Sequence, residues 1–338
     1  MTGRRTILKG LLAAPALLVA GCAQRTSTTP AGVLNVGQIS NSVAFFPLFV
    51  AETRGYFTDE GLTLGDRPRL GTGAKVAAAL KSGSIDVGAG VITDAFNLAK
   101  IDDGTRVVSS LVAEYYVDIV VPPSFDGPDD DASLDKKAKA LVGRTIGITG
   151  PASGTEALVK YLFGSVGRDA ATDATLVNLG AAVSAAVGAL KAGRVDALAF
   201  FQPIAQIAEA TGVGRTYISP ARGDVPSLRG ALHGVTFSTR KLLDRKKDEI
   251  VGFQRAMTRA LTDIHGDPTQ ARDLLGRYLK ETDPKALDAL MPILTKEIPA
   301  SPDLDERAYR TALRFHLDSG LVREAPAYAD VIPEAFRS

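Results

Sequence analysis

Ala78-Ala79-Leu80-Lys81-Ser82-Gly83-Ser84-Ile85-Asp86 is a stretch that returns later in the chain as Gly188-Ala189-Leu190-Lys191-Ala192-Gly193-Arg194-Val195-Asp196. The two copies lie 110 positions apart and share Leu-Lys-x-Gly-x-Ile/Val-Asp. Each copy predicts an amphipathic helix, ended by Gly83 or Gly193 in the left-handed conformation, and then a strand. Helix–glycine–strand junctions recur in α/β proteins in general, but the full match favours two similar halves.

On both sides of these copies, short apolar runs alternate with helical patterns. Predicted strands include Val33–Gly37, Ile85–Ala89, Thr145–Thr149 and Ala197–Phe201, and the pattern after Thr239 is helical almost to the end. Such alternation predicts an α/β fold with mainly parallel sheets. A chain of 338 residues is also long enough for two lobes of ordinary domain size.

The N-terminal residues have the layout of a secretory signal over residues 1–21. A basic start with Arg4, Arg5 and Lys9 precedes the apolar run Leu11–Ala20, which is too short to span a bilayer. Arg4-Arg5 followed by apolar residues and a lysine resembles the twin-arginine export signal. An ordinary basic start for the general secretion route is the alternative.

Cys22 is the only cysteine in the 338 residues. Val19-Ala20-Gly21-Cys22 resembles the bacterial lipobox, in which the cysteine is lipidated; a chance cysteine beside a cleavage site is the alternative. Residues 22–32 are accordingly predicted to be the lipidated cysteine and a flexible tether, which would anchor an extracytoplasmic protein to the bacterial cell membrane. An acylated sole cysteine leaves no disulfide, zinc-thiolate site or thiol nucleophile.

Charge and motifs exclude several classes of function. The formal net charge is +1 and there is no basic stripe, so nucleic-acid binding is disfavoured. The three histidines show no metal-binding spacing, and no nucleophile elbow, Walker A or dinucleotide fingerprint is present. We therefore expect no catalytic residues, no metal and no cofactor.

A family resemblance appears in motifs that follow one another from Val33 to Pro292. They are Ala51-Glu52-x-x-Gly55-Tyr56-Phe57-x-x-Glu60-Gly61-Leu62, Gly71-Thr72-Gly73, the two repeat copies, Gly143-Arg144-Thr145-Ile146-Gly147-Ile148, Ser153-Gly154-Thr155 and Pro203. In combination they resemble the ABC-transporter solute-binding proteins for aliphatic sulfonates, nitrate, taurine and thiamine-pyrimidine precursors.

The resemblance implies a two-lobe type II periplasmic-binding fold with two crossover strands. Lobe one would comprise residues 33–117 plus 235–338, and lobe two residues 118–234, with hinge crossings near Asp118–Val121 and Ser219–Gly234. It also implies a monomer that binds a small molecule between the lobes and delivers it to an ABC permease and its ATPase.

Candidate ligand-binding residues lie in loops after strands, where helix N-termini meet in open α/β sheets. Ser, Thr and Gly in such loops suit a small organic anion, although the same residues also cap helices and form turns. Aromatic residues would add flat apolar walls, with one member of each adjacent pair facing the core. The candidates are Ser40, Asn41, Ser42, Phe45, Gly71, Thr72, Gly73, Gly90, Thr93, Tyr115, Tyr116, Ser153, Gly154, Thr155, Phe201 and Gln202.

Two other functions stay open at this point. One is an enzyme on the same fold, similar to the thiamine-pyrimidine synthases, whose cysteine-rich motif this chain lacks. The other is an extracytoplasmic sensor that works without a permease. Sulfonate, nitrate, taurine-like, aromatic-acid and pyrimidine ligands all remain open.

Overall fold

The computed structural model describes residues 31–324 and 326–338. The predicted signal segment, Cys22 and most of the tether lie outside the described residues. In chain order the strands are β1 (Val33–Leu34), β2 (Val36–Gln38), β3 (Thr63–Leu64), β4 (Val87–Val91), β5 (Thr105–Val112), β6 (Val117–Val121), β7 (Thr145–Ile148), β8 (Thr175–Asn178), β9 (Ala197–Phe201), β10 (Arg215–Ile218) and β11 (Gly234–Thr239).

Helices separate most of these strands and make up most of the C-terminal third. They are α1 (Phe46–Thr53), α2 (Tyr56–Asp59), α3 (Gly73–Ser82), α4 (Ile92–Ala99), α5 (Leu134–Ala140), α6 (Gly154–Ser165), α7 (Ala170–Asp173), α8 (Val183–Lys191), α9 (Ile204–Ala210), α10 (Arg240–Arg245), α11 (Lys247–Gly266), α12 (Pro268–Tyr278), α13 (Pro284–Glu297), α14 (Glu306–Asp318) and α15 (Tyr328–Val331).

Within the described residues, two large sheets form the framework. The first has the order β2-β4-β11-β5, and β11 is its one strand that runs against the others. The second has the order β10-β6-β9-β7-β8, and there β6 is the reversed strand. The expected α/β class, with two sheets flanked by helices, is confirmed. The sheets are mixed rather than mainly parallel, because each reversed strand pairs antiparallel with both of its neighbours.

The reversed strands are the two places where the chain crosses between the sheets. It leaves the first sheet after β5, enters the second as β6, and returns through two short 3₁₀ turns (Pro220–Arg222 and Pro226–Leu228) into β11. Every strand of the second sheet lies between these crossings. Segments on both sides of them build the first sheet. Of the C-terminal helices, α10, α11 and α15 contact strands of this sheet, whereas α13 and α14 contact α9 and α6 beside the second sheet.

The internal repeat appears in the structure as two equivalent junctions. Gly83 and Gly193 end their helices with φ of 73° and 64°, the left-handed region predicted for them. The aspartates that close the copies then bond to the start of a neighbouring strand. Oδ2 of Asp86 accepts from the backbone N–H of Asn35 at 3.0 Å, and Oδ2 of Asp196 accepts from that of Thr145 at 2.8 Å.

Hydrogen bonds at the first of these junctions explain where two predicted strand bounds were wrong. The run Val33–Gly37 is split into β1 and β2, because Asn35 between them gives its N–H to the Asp86 side chain rather than to a strand. The strand predicted from Ile85 begins at Val87, because the N–H groups of Ser84 and Ile85 still bond to the oxygen of Ala79 in the helix.

Removing either aspartate carboxylate is expected to destabilise the protein. A hydrogen bond to a charged group contributes about 1.5–3 kcal/mol, and Asp86 also pairs with Arg245 at 3.2 Å. We therefore expect Asp86→Ala to lower the free energy of unfolding by about 3 kcal/mol and Asp196→Ala by about 1.5 kcal/mol, measured by urea unfolding of the protein that begins after Cys22. Asp86→Asn, which keeps an acceptor oxygen, should cost less than Asp86→Ala. Equal stability of all three variants and the wild type would contradict a role for the pairs.

Candidate ligand-binding site

A cavity of about 410 Å³ lies between the two large sheets. Its wall on the first side comes from the residues after β2 and from the N-terminal turns of α3 and α4. On the second side it comes from the loop between β7 and α6, and Tyr116, Val117 and His233 of the crossings close its base. The cavity thus lies where strand ends and helix N-termini meet, which is the expected position of a ligand in this kind of sheet.

The structure brings most of the candidate residues to this cavity. Eleven of them line it: Ser40, Ser42, Phe45, Gly71, Thr72, Gly73, Tyr116, Ser153, Gly154, Thr155 and Phe201. They come from loops far apart in the sequence, so the sheets and crossings are what make them neighbours.

The remaining candidates are engaged elsewhere. Asn41 accepts a hydrogen bond from Nε of Arg69 at 2.9 Å on the surface. Thr93 is buried against Nε2 of His316 at 2.7 Å. Gly90 lies behind the wall, where an added Cβ would meet Asp94 and Phe237. Tyr115 is buried and donates its hydroxyl proton to the oxygen of Gly154, and Gln202 donates to Glu297.

The hydroxyl groups of the cavity loops also serve the loops themselves. Thr72 Oγ1 accepts from the N–H of Lys75 at 3.3 Å, and Ser153 Oγ accepts from that of Glu156 at 3.2 Å, so both residues cap their helices as well as line the cavity. Thr155 Oγ1 accepts from the N–H of Thr149 at 3.0 Å. These hydrogen bonds stabilise the shape of the loops, which lowers the ordering cost of binding a ligand.

Contacts across the cavity join its two sides. Nδ2 of Asn97 on α4 donates to the oxygen of Ala152 in the opposite loop at 3.0 Å. At Gly154 an added Cβ would lie only 3.3 Å from Cε1 of His233 and from the hydroxyl of Tyr115. A glycine at this position lets α6 approach the crossings closely.

Asp94 is the most informative wall residue that the sequence analysis missed. Asp94 is the N3 residue of α4, and its Oδ2 accepts from the N–H of the N-cap residue Val91 at 2.9 Å, which satisfies one of the free backbone donors at the start of the helix. Burial raises the pKa of this carboxyl to about 7, and the Val91 hydrogen bond acts in the opposite direction. The signal in the sequence was an acidic residue three positions into a helix that follows a predicted strand.

His233 is the second missed residue and lies just before β11. Its ring centroid is 4.0 Å from that of Tyr115 and 4.8 Å from that of Tyr116. Burial lowers its pKa well below the usual value, and His316 adds to the effect. The ring is therefore neutral, and its Nδ1 has no hydrogen-bond partner among the described residues. Lys81, Asn97 and Ile101 at the rim were also missed.

Behind the cavity, a group of buried polar side chains joins the two parts of the chain. Nε2 of Gln202 donates to Oε1 of Glu297 at 2.9 Å, while Oε2 of Glu297 and Oδ1 of Asp118 have no partner among the described residues. Burial raises the pKa of Glu297 well above its usual value, and the Asp118 carboxyl raises it further. The folded protein therefore favours the protonated, neutral form of Glu297.

Because Glu297 is buried, the stability of the protein should depend on pH, and Glu297→Gln should reduce this pH dependence. A pKa raised in the folded state gives stability that is present below the unfolded value of 4.5 and is lost as the pH rises through the folded value. Glutamine keeps the acceptor for Gln202 but does not ionise, so we expect the variant to melt several degrees above the wild type at pH 8, at roughly 3 °C per kcal/mol.

The two melting temperatures should converge near pH 4.5, the usual value for the carboxyl. Asp118, which is buried, and Glu114, which is half-buried, remain as carboxyls with raised pKa values in the variant, so some pH dependence should persist. Identical melting curves at both pH values would contradict the burial of a neutral Glu297.

A family model described as NMT1/THI5 like matches residues 42–271. The chain belongs to this family. The match confirms the resemblance drawn from the sequence motifs, and it spans both crossings and almost every loop of the cavity wall.

Individual relatives are consistent with this family assignment. The putative binding protein YtlA of Bacillus subtilis (strain 168) is 24% identical over 302 residues, which cover 84% of this chain and 81% of YtlA. The alkanesulfonate-binding protein SsuA of Xanthomonas axonopodis pv. citri, solved with MOPS, has a TM-score of 0.69 at 18% identity, over 90% of this chain and 99% of SsuA.

The ligand-binding component of an ABC-type import system from Staphylococcus aureus, solved with zinc, has a TM-score of 0.71 at 16% identity, over 90% of this chain and 97% of that protein. At these identities the two solved structures show a shared fold.

Two kinds of feature are absent from the described residues, a metal-binding cluster and a membrane-spanning helix. Residues 31–324 and 326–338 contain no group of three or more His, Cys, Asp or Glu side chains arranged to hold a metal ion. The helices of the same residues include none that combines the length and the apolar character needed to cross a bilayer.

Proposed function

We propose that this chain is the lipid-anchored, extracytoplasmic solute-binding component of an ABC importer. It would hold a small molecule between lobe one (33–117 plus 235–338) and lobe two (118–234) and deliver it to a membrane permease driven by an ATPase. The observation that carries the proposal is the 410 Å³ cavity, whose wall is shared by both sheets and by the two crossings. A cavity of this size suits a small-molecule ligand.

The comparisons support a binding role rather than a catalytic one. YtlA is described as a putative binding protein, and the S. aureus relative is described as the ligand-binding component of an ABC-type importer. The family name also covers THI5-like proteins, so an enzyme on this fold is the rival to be tested. Recovery of the ligand chemically unchanged after incubation with the protein would separate binding from conversion.

Ligand capture would work through contacts that a bound molecule makes with both lobes. The crossings β6 and β11 are the connections that would bend, and Asn97–Ala152 is a contact that must break for the cleft to open. A ligand that touches both sides favours the closed form, because its binding energy differs between the two forms. The closed form would then dock on the permease.

Two ligand classes fit the polar wall groups. The N-terminal turns of α3 and α6 suit a small organic anion such as a sulfonate, the ligand type named for the Xanthomonas relative. A nitrogen heterocycle of the thiamine-precursor type would instead use Asp94 and the aromatic faces of Tyr116 and Phe201.

Ligand binding is tested by thermal shift on the protein that begins after Cys22, screened against sulfonates, carboxylates, nitrate, amino acids and thiamine precursors. A ligand that binds the native state stabilises it by RT ln(1 + L/Kd), where L is the free ligand concentration, so the melting temperature rises with ligand concentration. Ala78, an exposed residue on α3 that lines the cavity, offers a blocking variant. Ala78→Phe should lower the affinity for any compound that binds by more than about tenfold, because the ring fills cavity space.

Ala185→Phe is the matched control, since Ala185 is an exposed alanine on α8 outside the cavity wall. It should bind as the wild type does. A folded protein that no compound stabilises, or a ligand that binds equally well to both variants, would speak against this cavity as the site of capture.

Anchoring is tested separately through Cys22. Because lipidation needs the cysteine thiol, Cys22→Ala should move the protein from the membrane fraction to the soluble extracytoplasmic fraction and abolish incorporation of a labelled fatty acid. Replacement of Arg4 and Arg5 by lysine should retain the protein inside the cell if export uses the twin-arginine route. A Cys22→Ala protein that still sediments with membranes would contradict the lipid anchor.

A further inference from the structure

The inner wall of the cavity carries one acidic side chain and few other ionisable groups. Among the described residues, its ionisable groups are Lys81, Asp94, Tyr116 and His233, and no arginine lines it. Lys81 lies at the exposed rim, where its Nζ donates to the oxygen of Ile101 at 3.4 Å. His233 and Tyr116 are uncharged near neutral pH, because burial lowers the pKa of His233 and raises that of Tyr116. The charge of the inner wall therefore depends on Asp94.

Asp94 lies between the N-terminal turns of α3 and α4. Its Oδ2 accepts from Val91, while Oδ1 lies 1.7 Å from the position that a Cβ of Gly73 would occupy. In the part of the chain that the structure describes, Asp94 has no cationic partner, and Val91 supplies its hydrogen bond. Asp94 and Gly73 both line the cavity, so Oδ1 beside Gly73 is an acceptor available to a donor placed there.

The position of Asp94 makes the N-termini of α3 and α4 less attractive to an anionic ligand. The N-termini of helices favour negative charge, but at α3 and α4 the protein places its own carboxyl group there. An anionic ligand would have to lie close to Asp94 without an arginine to compensate. Burial of an anion beside the ionised carboxyl is costly, so above the Asp94 pKa of about 7 the inner part of the cavity disfavours a sulfonate or nitrate.

We propose, on the basis of the binding function proposed above, that the ligand is a non-anionic nitrogen compound that donates an N–H to Oδ1 of Asp94. Its flat apolar part lies against Tyr116 and Phe201, which line the cavity from its base and from the second lobe. A cationic or polarised N–H donor supplies the partner that Asp94 lacks, and a charge-assisted hydrogen bond of this kind is among the stronger ones in proteins.

Four phenyl compounds of similar size test this inference: benzamidine, benzamide, benzoate and benzenesulfonate. They differ in the charge and donors of one substituent, so the apolar contribution is held nearly constant. We expect benzamidine, and more weakly benzamide, to raise the melting temperature of the wild type at millimolar concentration. Benzoate and benzenesulfonate should not.

Asp94→Asn is the decisive variant, because asparagine keeps an acceptor for the Val91 N–H but removes the negative charge. Its affinity for benzamidine should fall roughly ten- to a hundredfold, and any affinity for benzenesulfonate should rise. Asp196→Asn is the matched control: Asp196 bonds to the N–H of Thr145 at 2.8 Å outside the cavity. It should bind all four compounds as the wild type does.

The pH profile gives a second readout. The pKa of Asp94 is raised to about 7, so the carboxylate forms as the pH rises, and benzamidine should bind the wild type more tightly at pH 8 than at pH 6. Tyr116 and His233 do not change charge in this range, and Lys81 is present in both proteins. The profile of Asp94→Asn should therefore be flat over the same range.

The outcomes separate this inference from the proposed function. Stabilisation by the anions, or equal benzamidine affinity in the wild type and Asp94→Asn, overturns the ligand class and leaves solute binding standing. Stabilisation by none of the four compounds overturns the ligand class as well. If the broader panel also fails to stabilise the folded protein, the binding function falls with it.

Discussion

The site depends on the two strands that cross between the sheets and run against their neighbours. Each crossing is held by backbone hydrogen bonds on both of its sides. The N–H of His233 bonds to the oxygen of Val112 at 3.0 Å and its oxygen accepts from Ile92 at 2.8 Å, while the oxygen of Tyr116 accepts from the N–H of Gln202 at 3.1 Å. Tyr116 and His233 are thereby fixed at the base of the cavity, and the loops of both sheets face each other above them.

The polar side chains that line the cavity differ in how much free energy their burial costs. Hydroxyl groups that line the cavity, such as those of Ser153 and Thr155, are already satisfied by their own loops. Asp94 is different, because it is a buried carboxyl with a single backbone donor. Burial of such a carboxyl is unfavourable. At Asp94 the hydrogen bond that caps α4 offsets part of this cost, and the carboxyl also supplies the cavity with a hydrogen-bond acceptor.

Much of the fold was predictable because it rests on local signals. Gly83 and Gly193 end their helices in the left-handed region, and β9 has the predicted bounds Ala197–Phe201. The weaker predictions were those in which a side chain from another part of the chain intervenes, as Asp86 does between β1 and β2. The sequence also could not show which of two adjacent residues faces the cavity. Thr93 packs against His316, while Asp94 lines the cavity.

The sequence by itself determined the alternation of strands and helices, the repeat, the family and the loops from which the site is built, because each is encoded in residues close together in the chain. Only the tertiary structure decided which side chains reach the cavity. Tyr116 lines it and Tyr115 does not, and Gln202 pairs with Glu297, 95 positions away. The direction and burial of a side chain depend on contacts with distant segments, and those contacts exist only once the two sheets and their crossings have formed.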